Sequence, residues 1–175
     1  STLKSAKEFS KKNNAIFLPP FDSLAVMEGQ ATVLNEILEQ SQSKCHPDFI
    51  FLAVGGGGLS SGMLKYSKEI QSDISFRLVE PTGAASLKAS LRERKQVTLQ
   101  RVNNFVDGAA VARIGDLNFE ILGDVPSDNI LTVSEDRLCV TMMEMLNTEG
   151  IVLEPAGALS IDALKDIKKS ILKGK

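Results

Sequence analysis

The sequence is poor in the side chains from which metal sites are built. Its 175 residues contain no tryptophan, one histidine and two cysteines. Cys45 and His46 are adjacent, but no second pair of ligands exists to complete the four-coordinate shell of a structural zinc. Cys139 lies in a stretch with helical spacing, where we expect it to be part of the core. The sequence therefore predicts no metal site.

Long apolar runs and a large charge of one sign are also missing. No run is long enough to span a bilayer, and no leader-like segment opens the chain. The formal net charge of −2 gives no general attraction to nucleic acid or to an anionic membrane. The content of 43% apolar and 24% charged residues is typical of a globular domain, and the length suits one. We expect a soluble cytoplasmic protein whose partners include neither nucleic acid nor membrane.

Strand-like and helix-like segments alternate along the chain. Residues 49–54 are apolar at every position, which is typical of a strand covered on both faces in a parallel sheet. Helical spacing over residues 59–70 and a second strand over residues 75–79 complete one βαβ unit. Further helices are predicted at residues 2–12, 22–40, 84–94, 116–122 and 134–150 and from Pro155 onward, and further strands at 129–133 and 151–153. In the second of these helices, Asp22 or Ser23 is the predicted N-cap. This alternation predicts an α/β fold.

Four consecutive glycines, Gly55 to Gly58, separate the first buried strand from its helix. Each glycine costs roughly 0.5–1 kcal/mol relative to alanine, so a purely structural turn would rarely need four. Without Cβ atoms, successive backbone N–H groups can converge on phosphate oxygens, and the helix N-terminus adds its positive end. Ser60 and Ser61 could add hydroxyl donors. The segment predicts an anion site.

The spacing leaves the kind of phosphate open. No lysine follows the glycines as a Walker A loop requires, and the GxGxxG fingerprint places Ser60 or Ser61 at its third glycine. Glu80, however, ends the second strand about twenty residues on, where a ribose-binding acid would stand. A non-catalytic domain that binds NAD or a phosphorylated metabolite is therefore one alternative.

Seven short motifs are distributed along the chain. They are PPFD (19–22), EGQAT (28–32), VGGGGLSSG (54–62), VEP (79–81), DGAAV (107–111), RIGD (113–116) and EPAGALS (154–160). The glycine motif resembles the tetraglycine loop of the fold-type II pyridoxal-phosphate enzymes. Together the motifs span nearly the whole chain and resemble biosynthetic threonine dehydratases. The glycine and EPAGA motifs are shared with serine dehydratases and serine racemases, whereas DGAAVARIGD points more narrowly to the threonine enzymes.

The resemblance implies a fold, a cofactor and a set of site residues. The fold would be a three-layer α/β sandwich with a mostly parallel sheet, like the large domain of tryptophan synthase β. Residues 1–175 would form part of that domain, with residues 1–18 belonging either to it or to the adjoining small domain, and with no regulatory domain. The residues implied to hold the phosphate of pyridoxal 5'-phosphate are Gly55, Gly56, Gly57, Gly58 and Leu59. Gly108 would lie beside the cofactor ring and Glu154 near the pocket, although Glu154 could equally serve a helix dipole.

The intact enzyme implied by this resemblance is a pyridoxal-phosphate-dependent lyase. It would deaminate L-threonine to 2-oxobutanoate and ammonia in isoleucine biosynthesis, as a homo-oligomer (dimer or tetramer). A serine dehydratase or a serine racemase-like enzyme is the alternative, because the residues that read the substrate side chain lie mostly outside this chain.

Two features depart from the family pattern. The Schiff-base lysine motif of the family is absent, and its nearest imitation, around Lys88, lies on the wrong side of the glycine loop. We therefore assign no catalytic residue and expect the chain alone to be inactive. In racemase-like relatives an acid at Glu80 binds a divalent cation with residues four and six places later. Those residues are Ala84 and Ser86 here, and a neutral serine is a poor ligand for a hard cation, so we predict no metal.

Overall fold

The structure, a computed structural model, describes residues 2–41 and 46–168. Its strands are β1 (Phe49–Ala53), β2 (Ser75–Pro81) and β3 (Ile130–Val133). They form one sheet in the order β1-β2-β3, and both pairings are parallel. In register, Phe49 lies opposite Ser75 and Leu78 lies opposite Ile130. The predicted α/β class and the first βαβ unit are therefore confirmed.

Seven α-helices are found within the described residues. They are α1 (Thr2–Lys12), α2 (Leu24–Ser41), α3 (Gly58–Glu69), α4 (Ser86–Glu93), α5 (Asp116–Leu122), α6 (Glu135–Glu149) and α7 (Pro155–Ala163). Short 3-10 helices occupy Thr82–Ala84, Asp107–Ala109, Ser127–Asn129 and Leu164–Asp166. All seven predicted helices are present, and α4 begins later than predicted because Thr82–Ala84 forms its own 3-10 turn. No helix in the described part combines the length and the apolar character needed to cross a membrane.

Hydrophobic residues cover the sheet on both faces. On one face, Leu52 of β1 and Leu78 of β2 pack with Met63 of α3 in a cluster that also contains Leu34 of α2. On the other, Val79 of β2 packs with buried residues of α6 and α7. Because neighbouring strand residues point to opposite faces, each strand needs apolar side chains at successive positions. This explains why residues 49–54 are apolar throughout.

Two predictions about the C-terminal third are wrong. Residues 151–153 form no strand, and the side chain of Val152 is 83% exposed. A short apolar run becomes a strand only when a neighbouring strand accepts its backbone hydrogen bonds, and none does so here in the described residues. Cys139 is exposed, since α6 buries Leu138 and Thr141 and turns Cys139 outward. Cys45 lies outside the described residues.

The carboxyl ends of the three strands lie at one edge of the sheet, because the strands are parallel. The glycine segment follows β1, Thr82–Ala84 follows β2, and α6 follows β3. In open α/β sheets, this edge is where ligands bind. The predicted anion site therefore lies at the expected edge of the sheet.

Candidate anion site at the glycine loop

The glycine loop ends in an uncapped helix N-terminus. Gly57 is the N-cap of α3, and its φ of 97° lies in the left-handed region that favours glycine. Among the described residues no side-chain hydrogen bond to the first turn of this helix is found, and its first backbone bond runs from the Ser61 N–H to the Gly57 carbonyl at 2.8 Å. The N–H groups of Gly58, Leu59 and Ser60 therefore have no partner within the helix. Such an N-terminus, with its positive dipole end, favours an anion.

The glycines are also required by close packing behind the loop. A Cβ at Gly56 would overlap the ring of Phe21, and one at Gly57 would lie 2.7 Å from Ile114 Cδ1. Their small size is therefore explained at least in part by protein contacts rather than by a ligand. The free amides at the first turn of α3, and not the number of glycines, are therefore what favours an anion here.

Asp22 fixes the position of α5 beside this loop. Its carboxylate oxygens accept hydrogen bonds from the N–H groups of Asp116 and Leu117, each at 2.9 Å. Asp22 or Ser23 was predicted to cap α2, which begins at Leu24, but Asp22 caps the N-terminus of α5 instead. The PPFD motif is thereby joined to the RIGD motif.

Asn118 connects both motifs to the glycine loop. Its side-chain Nδ2 donates to the carbonyl of Gly56 at 3.0 Å and to that of Phe21 at 3.2 Å. The N–H of Gly115 donates to the same Gly56 carbonyl at 3.1 Å. These three hydrogen bonds were not predicted from the sequence. The only signal there is the position of Asn118, two residues after the RIGD motif.

Gly108 and Glu154 lie on the other flank of the loop. A Cβ at Gly55 would lie 3.1 Å from the Gly108 carbonyl oxygen, and one at Gly108 would lie 3.5 Å from Glu154 Oε1. Glu154 occupies the N-cap position of α7 and is exposed. The structure thus brings the predicted phosphate loop close to Gly108 and Glu154, the two other residues that the family resemblance implies at the site.

The two serines after the loop do not have equivalent positions. The Ser61 hydroxyl donates to the backbone carbonyl of Asn118 at 3.4 Å, so it serves the contact between α3 and α5. Ser60 is fully buried, and its hydroxyl has no hydrogen-bond partner in the described part of the chain. A direct role in anion binding is therefore not indicated for Ser61.

Glu80 is buried away from solvent and caps α4. Its carboxylate accepts hydrogen bonds from the N–H groups of Leu87 at 2.7 Å and Lys88 at 2.8 Å. Burial raises the pKa of Glu80 to about 7, against the lowering effect of these bonds and of the Lys88 charge. Since both oxygens are engaged and the side chain is 0% exposed, Glu80 offers no carboxylate to a ribose hydroxyl.

The residues near Glu80 do not form a cation site either. Ala84 and Ser86 are buried, and the Ser86 hydroxyl has no hydrogen-bond partner among the described residues. Across residues 2–41 and 46–168, no three histidine, cysteine or acidic side chains are grouped as metal ligands would be. Lys88 is exposed, with its Nζ 3.3 Å from Thr132 Oγ1.

Comparison with known proteins agrees with this architecture. A family model described as pyridoxal-phosphate dependent enzyme matches residues 1–175. The biosynthetic L-threonine dehydratase IlvA of Bacillus subtilis is 44% identical over 172 residues, which cover 98% of this chain and 40% of that protein. Its namesake in Staphylococcus aureus is 42% identical over 175 residues, covering 99% and 41%. The chain therefore spans about 40% of the length of these curated relatives.

Solved structures of dehydratases and racemases share the fold. The processed form of threonine deaminase isoform 2 from Solanum lycopersicum superposes with a TM-score of 0.84 at 33% identity, covering 94% of this chain and 49% of that one. Maize serine racemase superposes with a TM-score of 0.83 at 29% identity, covering 91% and 49%. Because both types of enzyme superpose equally well, the fold does not separate the two activities.

Proposed function

Because this chain belongs to the pyridoxal-phosphate-dependent enzyme family, we propose that it is the phosphate-binding part of a threonine dehydratase. The complete enzyme would deaminate L-threonine to 2-oxobutanoate and ammonia, a step of isoleucine biosynthesis. The observation that carries the site is the uncapped N-terminus of α3, which begins after Gly57 at the carboxyl edge of the sheet. The substrate is supported by the names of the curated relatives.

The residues present suit the phosphate of the cofactor. A phosphate group needs several converging donors and positive potential, and α3 supplies both through the N–H groups at its first turn. Gly55, Gly56, Gly57, Gly58 and Leu59 would hold the group, chiefly through backbone rather than side-chain atoms. Their positions are fixed from behind by Phe21 and Ile114, so the amides are oriented before any ligand arrives.

Pyridoxal phosphate, when bound, supplies an electron sink for the electron pair left at the substrate Cα. This chain would contribute the residues that hold the cofactor in position. The loop would fix the phosphate end, and Gly108 and Glu154, which lie close to Gly55 and to each other, would border the ring. A Cβ at position 108 would lie 3.1 Å from Ala156 Cβ, so the glycine allows this turn to pack closely against α7.

Domain boundaries, assembly and location are further parts of this proposal. We assign residues 1–18 to the adjoining small domain, since none of residues 2–18 is buried in the structure. Val140 and Met143 of α6 are each more than half exposed, and burying them against another part of the complete protein or another copy would be favourable. We expect a homo-oligomeric enzyme of the cytoplasm, where amino-acid synthesis takes place.

A titration of the backbone amides tests the site directly. The ¹⁵N-labelled chain is titrated with inorganic phosphate and with pyridoxal phosphate, and the amide signals of residues 56–60 are followed. We expect shifts centred on Gly58 and Leu59, with signals at the far ends of the strands unchanged. Absence of any shift at these residues at saturating phosphate would exclude the proposed site.

A serine-specific enzyme is the second candidate, favoured by the likeness to maize serine racemase. Kinetics of the complete enzyme separate the two. For a threonine dehydratase, kcat/KM measured from the 2-oxo acid product should be higher with L-threonine than with L-serine. A clear preference for serine, or racemisation without elimination, would assign the chain to the other branch.

A further inference from the structure

Asn118 lies at the junction of three segments behind the glycine loop. It is fully buried, and its Nδ2 bonds the carbonyls of Gly56 and Phe21 at 3.0 and 3.2 Å. Its own backbone carbonyl accepts the Ser61 hydroxyl from the first turn of α3. One residue thus joins the loop before α3, the PPFD segment and α5.

The bond to Gly56 controls where the next amide points. In a trans peptide the carbonyl and the following N–H point in opposite directions, and no described peptide of this chain is cis. The Gly56 carbonyl is directed toward α5 by two donors, Asn118 Nδ2 and the Gly115 N–H. The Gly57 N–H, in the same peptide plane, is consequently directed away from α5.

The second donor matters because a single hydrogen bond leaves a glycine peptide free to pivot about it. Gly56 and Gly57 have no side chains that would limit such rotation. Asn118 adds a bond to the same carbonyl and is itself fixed by its bond to the Phe21 carbonyl. The orientation of the Gly56–Gly57 peptide is thereby fixed by a side-chain donor together with the backbone donor of Gly115.

The side-chain amide of Asn118 is only partly satisfied. Its Oδ1 is buried and has no hydrogen-bond partner among the described residues. Burying a carbonyl-type oxygen without a donor is unfavourable, and the two hydrogen bonds that Nδ2 donates to backbone carbonyls offset this cost. The two carbonyls that Nδ2 bonds, those of Gly56 and Phe21, explain why position 118 carries an amide.

We propose that Asn118 is a positioning residue for the anion site, holding the Gly56–Gly57 peptide so that the Gly57 N–H joins the amides of α3 as a phosphate donor. This role rests on the proposed function of the loop. Asn118 does not contact the ligand itself; it acts through Gly56. No motif of the sequence indicates this role.

The test compares Asn118→Leu with a matched substitution, Asn35→Leu. Asn35 on α2 also makes two side-chain bonds, to Glu39 and Tyr66, but lies away from the loop. The ¹⁵N-labelled chain and both variants are titrated with inorganic phosphate, and their melting temperatures are measured. We expect Asn118→Leu to weaken phosphate binding about tenfold, the usual effect of one hydrogen bond to a charged group. It should also abolish the phosphate-induced shift of the Gly57 amide, while Asn35→Leu leaves both unchanged.

The outcomes separate this inference from the proposed function. If the unsubstituted chain shows no phosphate shift at residues 57–60, the proposed site fails. If it does, and Asn118→Leu binds phosphate as tightly with the same Gly57 shift, the role of Asn118 is overturned. Should Asn118→Leu fail to fold, Asn118→Ala removes the same donor without adding bulk, and wild-type phosphate affinity together with a wild-type Gly57 shift in that variant would overturn it equally.

Discussion

The carboxylate of Asp22 caps the helix that begins at Asp116, although the two residues are 94 positions apart in the sequence. Both oxygens are used, one for the Asp116 N–H and one for that of Leu117. This contact holds the N-terminal PPFD segment against the helix that carries Asn118. Because Asn118 bonds the Gly56 carbonyl, the Asp22 cap also helps to hold α5 in place next to the glycine loop.

Replacing Asp22 should destabilise the fold. Asp22→Ala removes an N-cap, and such losses cost about 1–2 kcal/mol. The free energy of unfolding from urea titrations should fall by that amount. The neighbouring Ser23→Ala is the control, because the Ser23 side chain makes no hydrogen bond to any of the described residues, and it should change the value little. Equal effects of the two substitutions would mean that Asp22 does not cap α5.

This pair also shows how far the sequence could predict the structure. Periodicity and turn residues are local signals, and they were sufficient for the helices, the βαβ unit and the loop. The partner of Asp22 is set by tertiary packing, which no local signal contains. For the same reason the apolar residues 151–153 were wrongly predicted as a strand, and Cys139 was wrongly placed in the core.

Gly57 should not tolerate replacement by a residue that has a side chain. Its φ of 97° is unfavourable for other residues, and a Cβ would lie 2.7 Å from Ile114 Cδ1. Gly57→Val should lower the free energy of unfolding by about 2 kcal/mol or more and abolish phosphate binding. In Gly29→Ala the new Cβ meets nothing within 4 Å in the interior of α2, so the stability should rise by up to about 1 kcal/mol. A Gly57→Val protein with wild-type stability and phosphate affinity would contradict the described geometry.

The buried carboxyl of Glu80 should make stability depend on pH. Its pKa is raised by burial from 4.5 to about 7, so the folded chain holds this proton more tightly than the unfolded chain. The resulting contribution to stability is fully present below pH 4.5 and is lost as the pH rises through about 7. From about pH 5 to about pH 8, the free energy of unfolding of the unsubstituted chain should fall relative to Glu80→Gln by at most about 3 kcal/mol. Glu69→Gln, at an exposed ion pair with Lys65, should retain the wild-type profile. Identical profiles for Glu80→Gln and the unsubstituted chain would contradict the shifted pKa.

The chain by itself should show no turnover of threonine. The reaction needs a lysine that can lose its proton and bond to the cofactor aldehyde, which requires a lowered pKa. The pKa of Lys165 is raised instead of lowered, because its ammonium donates a hydrogen bond to Glu144. Lys65 forms an exposed ion pair with Glu69, and the exposed Lys88 binds Thr132, so neither is desolvated next to the loop. Incubation of the purified chain with pyridoxal phosphate and L-threonine should therefore yield no more 2-oxobutanoate than a blank that contains the cofactor alone. Turnover above that blank, removed by replacing one lysine of this chain with alanine, would show that the reacting lysine lies within these residues after all.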